Sequence, residues 1–116
     1  MFEASISELA EGLRTGRWTS RSLTEEALGR IAEIDQSGPS LNAIAEVNPD
    51  ALWIADTLDR ELQETGPRGP LHGLPVVVKD NISTAGKMHT TAGSAALADF
   101  YAPQDAGVVR RLKQAG

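Results

Sequence analysis

The chain has 116 residues, which is enough for one domain or for one part of a larger domain. Its net charge is −5 and it contains no cysteine, so disulfides and cysteine zinc sites are excluded and nucleic-acid binding, which needs a basic surface, is disfavoured. Because no apolar run could span a membrane and no signal-peptide pattern is present, we expect a cytoplasmic protein without a membrane partner.

The first half of the chain has the periodicity of amphipathic helices. Ser5 and Glu8 have the spacing of a capping box, which predicts a first helix that ends near Gly16. A second helix is predicted over residues 20–35, because apolar residues recur there every three or four positions. The acidic side chains of these helices are expected to form a solvated face rather than a binding patch.

A short strand and a third helix are predicted next. Residues 41–47 are the candidate strand. Asn48 is then expected to cap the third helix, with Pro49 at its first helical position. Gly66 is expected to end that helix.

The chain changes character after the third predicted helix. Residues 74–78 include three consecutive valines, which predict a strand buried on both faces of a parallel sheet. A loop rich in small and polar residues follows, and Asp105 is expected to cap a last helix. The predicted fold class is α/β: a helical segment, residues 1–65, leads into a mixed sheet covered by helices, which starts within residues 66–116.

A single strand that is buried on both faces, residues 74–78, is too few for a sheet. Its backbone groups need partners, and the chain offers no adequate second strand. The order of strand, loop, helix and Gly116 predicts that another parallel strand comes next. We therefore expect residues 1–116 to be the N-terminal part of a larger single domain.

Lys79 is the candidate functional residue, because it follows the predicted strand directly at its carboxyl end. Burial favours the neutral form of a lysine, which can act as a general base or as a nucleophilic amine. The alternative is a structural lysine that points to solvent or pairs with Asp80. Spacing alone favours this structural role.

The remaining candidate residues predict no further chemistry. His72 and His89 lie 17 residues apart without a third ligand, so no metal site is predicted and both are expected at the surface or in loops. Ser94 lacks the second glycine of a nucleophile elbow. Trp18 and Trp53 are expected to cover the edges of the core.

A family resemblance favours a functional role for Lys79 over a structural one. Residues 69–82 read Gly-Pro-Leu-His-Gly-Leu-Pro-Val-Val-Val-Lys-Asp-Asn-Ile and resemble the opening of the amidase signature family. Residues 88–94 and 105–112, and residues 41–44 before them, also resemble that family. The resemblance covers essentially the whole chain.

The resemblance implies an enzyme that hydrolyses or transfers small-molecule amides through a Ser–cis-Ser–Lys triad and an acyl-enzyme. Lys79 matches the catalytic lysine of the family, and no cofactor or metal is implied. In the family both serines lie downstream of the region that this chain matches. We therefore expect residues 1–116 alone to be inactive.

Two alternatives to a general amidase stay open. Residues 88–94 look more like general amidases than like the A-subunit of the glutamyl-tRNA amidotransferase, which usually has a Thr-Cys-Ala-Ser pattern here, but that A-subunit is the second candidate. The other alternative is a non-catalytic module, for example a homodimer, that pairs through residues 74–78. The expected substrate class is carboxylic or peptide amides.

Overall fold

The computed structural model describes residues 3–116. Met1 and Phe2, which begin the predicted helical segment, lie outside the described residues. Within the described part the chain forms four α-helices, a π-helical turn and a 3₁₀ turn, namely α1 (Ile6–Arg14), α2 (Ser20–Arg30), the π-helical turn (Ile31–Asp35), α3 (Ala51–Thr65), the 3₁₀ turn (Ala95–Leu97) and α4 (Gly107–Gln114). None of the helices in this part has the length and apolar character needed to cross a membrane.

Helix α1 begins with the predicted capping box. The Ser5 hydroxyl accepts a hydrogen bond from the Glu8 N–H at 3.2 Å, and the Glu8 carboxylate accepts one from the Ser5 N–H at 2.7 Å. The helix buries Gly12 and Leu13. A Cβ atom on Gly12 would lie 2.0 Å from the Trp18 ring, so Trp18 covers this helix closely, as predicted. Trp53, in contrast, is exposed.

The second predicted helix divides into two parts. Helix α2 ends at Arg30, and the π-helical turn follows, with the Gln36 N–H bonded to the Ile31 carbonyl at 2.9 Å. The buried Asp35 carboxylate then accepts a hydrogen bond from the Ala43 N–H at 2.6 Å. This contact ties the end of the turn to the segment that follows and favours the wider π-type winding.

Helices α2 and α3 pack against each other and form the centre of the small core. Leu23 and Ala55 are almost completely buried between them. The Asp59 carboxylate accepts hydrogen bonds from the backbone N–H groups of Ser20 at 2.6 Å and Arg21 at 3.0 Å. A side chain of α3 therefore caps the first turn of α2.

The predicted start of α3 is wrong by two residues. Its N-cap is Asp50, and Pro49 lies before the helix. The Asn48 side chain accepts a hydrogen bond from the Asp50 N–H at 3.0 Å, so it closes a turn in place of capping the helix.

The predicted cap of α4 is also wrong. The N-cap residue is Ala106, which makes no side-chain capping bond. The Asp105 carboxylate instead accepts hydrogen bonds from the Ala85 N–H at 2.8 Å and from the Lys113 ammonium at 2.7 Å. The Asp105 side chain therefore binds the distant Ala85 N–H in place of the first N–H groups of α4.

The predicted mixed sheet is absent from the described residues, and neither 41–47 nor 74–78 is a strand there. Two isolated bridges occur, one between Ala85 and Ala102 and one between His89 and Tyr101. A strand needs a neighbouring backbone, and this part of the chain places none along residues 74–78. The valines of that segment are consequently not covered.

Candidate functional site

An open, mostly apolar cleft of about 500 Å³ lies beside the uncovered valines. Residues of α2 and of the π-helical turn line this cleft together with residues 43–48. Residues 75–80, Met88 and His89 line it as well. The cleft therefore lies between the helical half of the chain and the segment that carries Lys79.

Lys79 lies in the wall of this cleft and is exposed. Its ammonium group has no hydrogen-bond or ion-pair partner among residues 3–116. The burial expected for Lys79 is not found in this part of the chain, because no second layer covers residues 74–78. Of the two structural alternatives for Lys79, the pair with Asp80 is wrong, since the Asp80 carboxylate binds Thr91. The other alternative, a lysine that points to solvent, agrees with the exposure of Lys79 among the described residues.

Asp80 closes the turn that carries Lys79. Its carboxylate accepts hydrogen bonds from the Thr91 hydroxyl and, at 2.8 Å, from the Thr91 N–H. The bond from the hydroxyl has the largest effect, and together these bonds hold the pKa of Asp80 below its usual range. The carboxyl group is therefore ionised at neutral pH. The Lys79 carbonyl accepts from the Ile82 N–H at 2.9 Å, and the Asp80 carbonyl accepts from the Ala92 N–H at 3.2 Å. The backbone is therefore held directly after the lysine, at the carbonyl groups of Lys79 and Asp80.

His89 is held across the cleft by Glu46. One carboxylate oxygen accepts the His89 backbone N–H at 2.8 Å, and the other lies 3.0 Å from the His89 Nδ1. The imidazole also lies against Tyr101, with 4.1 Å between ring centroids. The loop position predicted for His89 is confirmed, but the ring is half-buried. Glu46 lies 43 residues away in the sequence, and no local pattern indicated its role.

His72 is structural: it lies in a loop, as one of the two predicted positions has it, but its side chain is not at the surface. The side chain is buried, with its Nε2 atom 2.9 Å from the Leu58 carbonyl and its Nδ1 atom 3.1 Å from the Arg68 N–H. A carbonyl only accepts and a backbone N–H only donates, so the partners select the neutral tautomer with the proton on Nε2. Both ring nitrogens are therefore used, and neither is available for catalysis or metal binding.

The Amidase family model matches residues 22–116, a range that includes Lys79 and every residue that lines the cleft. The chain belongs to the Amidase family. Among solved structures, this Amidase-family chain is similar to the native peptide amidase from Stenotrophomonas maltophilia, with 46% identity and a TM-score of 0.93. That match covers 98% of this chain and 23% of the peptide amidase. An amidase family protein from Bacillus anthracis is 42% identical with a TM-score of 0.91 and matches 98% of this chain.

Similar sequences include amidases and one component of an amidotransferase. Among them, a Schizosaccharomyces pombe protein described as an amidase is 43% identical over 114 residues, which cover 98% of this chain and 19% of that protein. The A-subunit of the glutamyl-tRNA(Gln) amidotransferase from Alkalilimnicola ehrlichii is 42% identical over 117 residues, which cover 100% of this chain and 23% of that protein. The chain thus spans about a fifth of the length of the curated relatives that it matches. Its fold is the corresponding part of the amidase fold.

Proposed function

We propose that this chain supplies the lysine-bearing wall of an active site that hydrolyses carboxylic or peptide amides. The observation that carries the proposal is the place of Lys79: hydrogen bonds hold the backbone just after it, and its ammonium group lies at the wall of a cleft without a partner among residues 3–116. Asp80, the nearest carboxylate in sequence, is bonded to Thr91 and leaves the ammonium group open to groups outside these residues.

The proposed reaction follows the triad that the family resemblance implies. A neutral Lys79 accepts a proton from a bridging serine, which in turn takes the proton of a nucleophilic serine. The nucleophile forms a C–O bond with the amide carbonyl carbon, the C–N bond breaks, and the departing amine receives the proton. Water then hydrolyses the resulting ester. Both serines are expected outside residues 1–116, so this stretch alone should not turn over an amide.

The substrate class rests on similarity to the peptide amidase, which is 46% identical to this chain. No cofactor or metal takes part in the proposed reaction, and we further propose a cytoplasmic protein without a nucleic-acid or membrane partner.

The second candidate is the amidotransferase component, which the 42% identity to the Alkalilimnicola ehrlichii A-subunit over the whole chain favours. Glutaminase activity and co-purification with further subunits would support that candidate over a peptide amidase.

The test is ammonia release from a peptide with a C-terminal amide, measured with the native protein isolated from its source cell. General-base catalysis contributes about 10²–10⁴-fold, so Lys79→Ala should lower kcat by that factor. The control is Lys87→Ala, which removes an exposed lysine that pairs with Asp50. Unchanged turnover in Lys79→Ala would overturn the proposal.

A non-catalytic homodimer is a competing function, and the exposure of Val76 (55%) and Val77 (77%) favours it. Two copies paired through residues 74–78 would bury these side chains. Sedimentation of the 116-residue chain over a range of concentrations tests this possibility. A dimer that Val77→Lys dissociates would support the homodimer, whereas a monomer at all concentrations would exclude it.

A further inference from the structure

We propose that Glu46 is a positioning residue for Lys79, and that it acts through hydrogen bonds that run by way of His89, Thr91 and Asp80. The inference rests on the proposed function, because Lys79 needs a fixed position only if it works on a substrate. It assigns a role to a carboxylate that lines the same cleft as the lysine.

The first link is the two-point contact between Glu46 and His89. One carboxylate oxygen holds the backbone N–H and the other holds the ring, so both the main chain and the side chain of His89 are fixed. The two side chains are about one-third exposed, at 31% and 28%. The contact joins residues 43–48, which line the cleft, to the loop that carries His89.

The second link is the short stretch from His89 to Thr91. Between them, the buried Thr90 donates its N–H to the Phe100 carbonyl at 3.0 Å. This bond is a second anchor of the stretch, beside the contact of His89 with Glu46. The Glu46 contact therefore contributes to where the Thr91 hydroxyl and N–H lie.

The third link joins Thr91 to the lysine. Both donors of Thr91 bind the Asp80 carboxylate, and Asp80 follows Lys79 directly. Since the Lys79 ammonium has no partner of its own among residues 3–116, its backbone sets the point from which the side chain reaches into the cleft. A shift of Thr91 would move that backbone, and a misplacement of about 1 Å can cost on the order of 10²-fold in rate.

The direct test is NMR on the native protein. Glu46→Ala should speed amide exchange of the Thr91 N–H at least tenfold and should shift the Lys79 side-chain signals. Signals of the His72 ring, held by Leu58 and Arg68, should not move and show that the variant is folded. The control is Glu64→Ala, which removes the same charge from an exposed position on α3.

Two conservative variants distinguish the effect of the length of the Glu46 side chain from the effect of its charge. They also allow the inference to be tested if Glu46→Ala does not fold. Glu46→Gln keeps the length and an acceptor oxygen, so it should restore slow exchange at Thr91 in large part. Glu46→Asp keeps the charge but is too short for both contacts, so it should resemble Glu46→Ala. Equal Thr91 exchange and unchanged Lys79 signals in all Glu46 variants would overturn the inference.

Kinetics of the native protein separate this inference from the proposed function. A positioning role predicts that Glu46→Ala lowers kcat about tenfold or more with little change in KM, and that Glu46→Gln recovers most of the loss. A rise in KM alone would overturn positioning and assign Glu46 to substrate binding. If Lys79→Ala leaves turnover unchanged while Glu46→Ala still speeds exchange at Thr91, the proposed function is wrong. The hydrogen bonds that link Glu46 to Lys79 would then still be supported.

Discussion

At the scale of single residues, Gly73 shows how tightly two parts of the chain approach each other. Its φ is +73°, and a Cβ atom there would lie 1.9 Å from the Ser20 hydroxyl oxygen. Gly16 has the same φ of +73° but has no atom within 4 Å of a built Cβ. A comparison of substitutions at these two glycines therefore distinguishes the cost of backbone strain from the cost of steric overlap.

We predict that Gly73→Ala lowers the free energy of unfolding by about 2–4 kcal/mol, because strain and overlap combine. Gly16→Ala should cost only about 1–2 kcal/mol, because it has the strain alone. Urea unfolding of both variants measures the difference. Equal costs for the two substitutions would contradict a close contact between Gly73 and Ser20.

The Ser20 hydroxyl is itself buried without a hydrogen-bond partner in the described part of the chain. Removing an unsatisfied buried polar atom relieves its desolvation cost. Ser20→Ala should therefore leave the free energy of unfolding unchanged or raise it by up to about 1 kcal/mol. It should also reduce the cost of Gly73→Ala in the double variant, and a clear loss of stability in Ser20→Ala alone would show that the hydroxyl has a partner.

At the scale of elements, α2 depends on α3 for its N-terminal cap. Asp59 accepts two backbone hydrogen bonds from the first turn of α2, so Asp59→Ala should cost about 1–2 kcal/mol of stability. Asp56→Ala on the same helix removes an exposed ion pair with Arg21 and should cost less than about 1 kcal/mol. Chemical unfolding gives both values, and hydrogen exchange in the first turn of α2 should increase only for Asp59→Ala. A larger loss for Asp56→Ala would contradict the capping role.

Helix α4 is attached to the preceding loop by Asp105, and this attachment predicts a dependence on pH. The hydrogen bond from Lys113, followed by that from the Ala85 N–H, holds the pKa of Asp105 below its usual range. Its contribution to stability is therefore present above the unfolded-state pKa, near pH 4, and is lost as the pH falls through the lower folded-state pKa. Asp105→Asn should be less stable than the unsubstituted chain at pH 7.

Unfolding of Asp105→Asn and of the unsubstituted chain at pH 7 and at pH 2.5 checks this dependence. The stability difference between the two proteins should shrink at the lower pH, because protonation removes the same charge from Asp105. A difference that is constant across this range would show that the carboxylate charge does not attach α4.

Local patterns predicted the elements better than their ends. The capping box at Ser5 was found because both of its partners lie within four residues. The cap expected from Asn48 failed because its side chain closes a turn with the Asp50 N–H, two residues away. The cap expected from Asp105 failed because the Ala85 N–H, 20 residues away, binds its carboxylate. The strand expected over residues 74–78 failed for a related reason: three valines favour a strand, but a ladder also needs a second backbone beside it.

At the scale of the whole molecule, the cleft joins parts that lie far apart in the sequence. Lys79 could be singled out because a local block of residues resembles a family. Glu46 could not, because its contact with His89 spans 43 residues and forms only when the loop folds back across the cleft. Val76 and Val77 are exposed near Lys79, and the chain spans about a fifth of the length of its curated relatives.

The most direct measurement is covalent labelling of the native protein with a fluorophosphonate, a reagent that reacts with activated serines, followed by peptide mass spectrometry. We predict a single labelled serine outside residues 1–116, with labelling slowed about 10²-fold or more by Lys79→Ala and unchanged by Lys87→Ala. Labelling at a serine within residues 1–116, no labelling at all, or equal labelling in Lys79→Ala would contradict the assignment of Lys79 to an amide-hydrolysing triad.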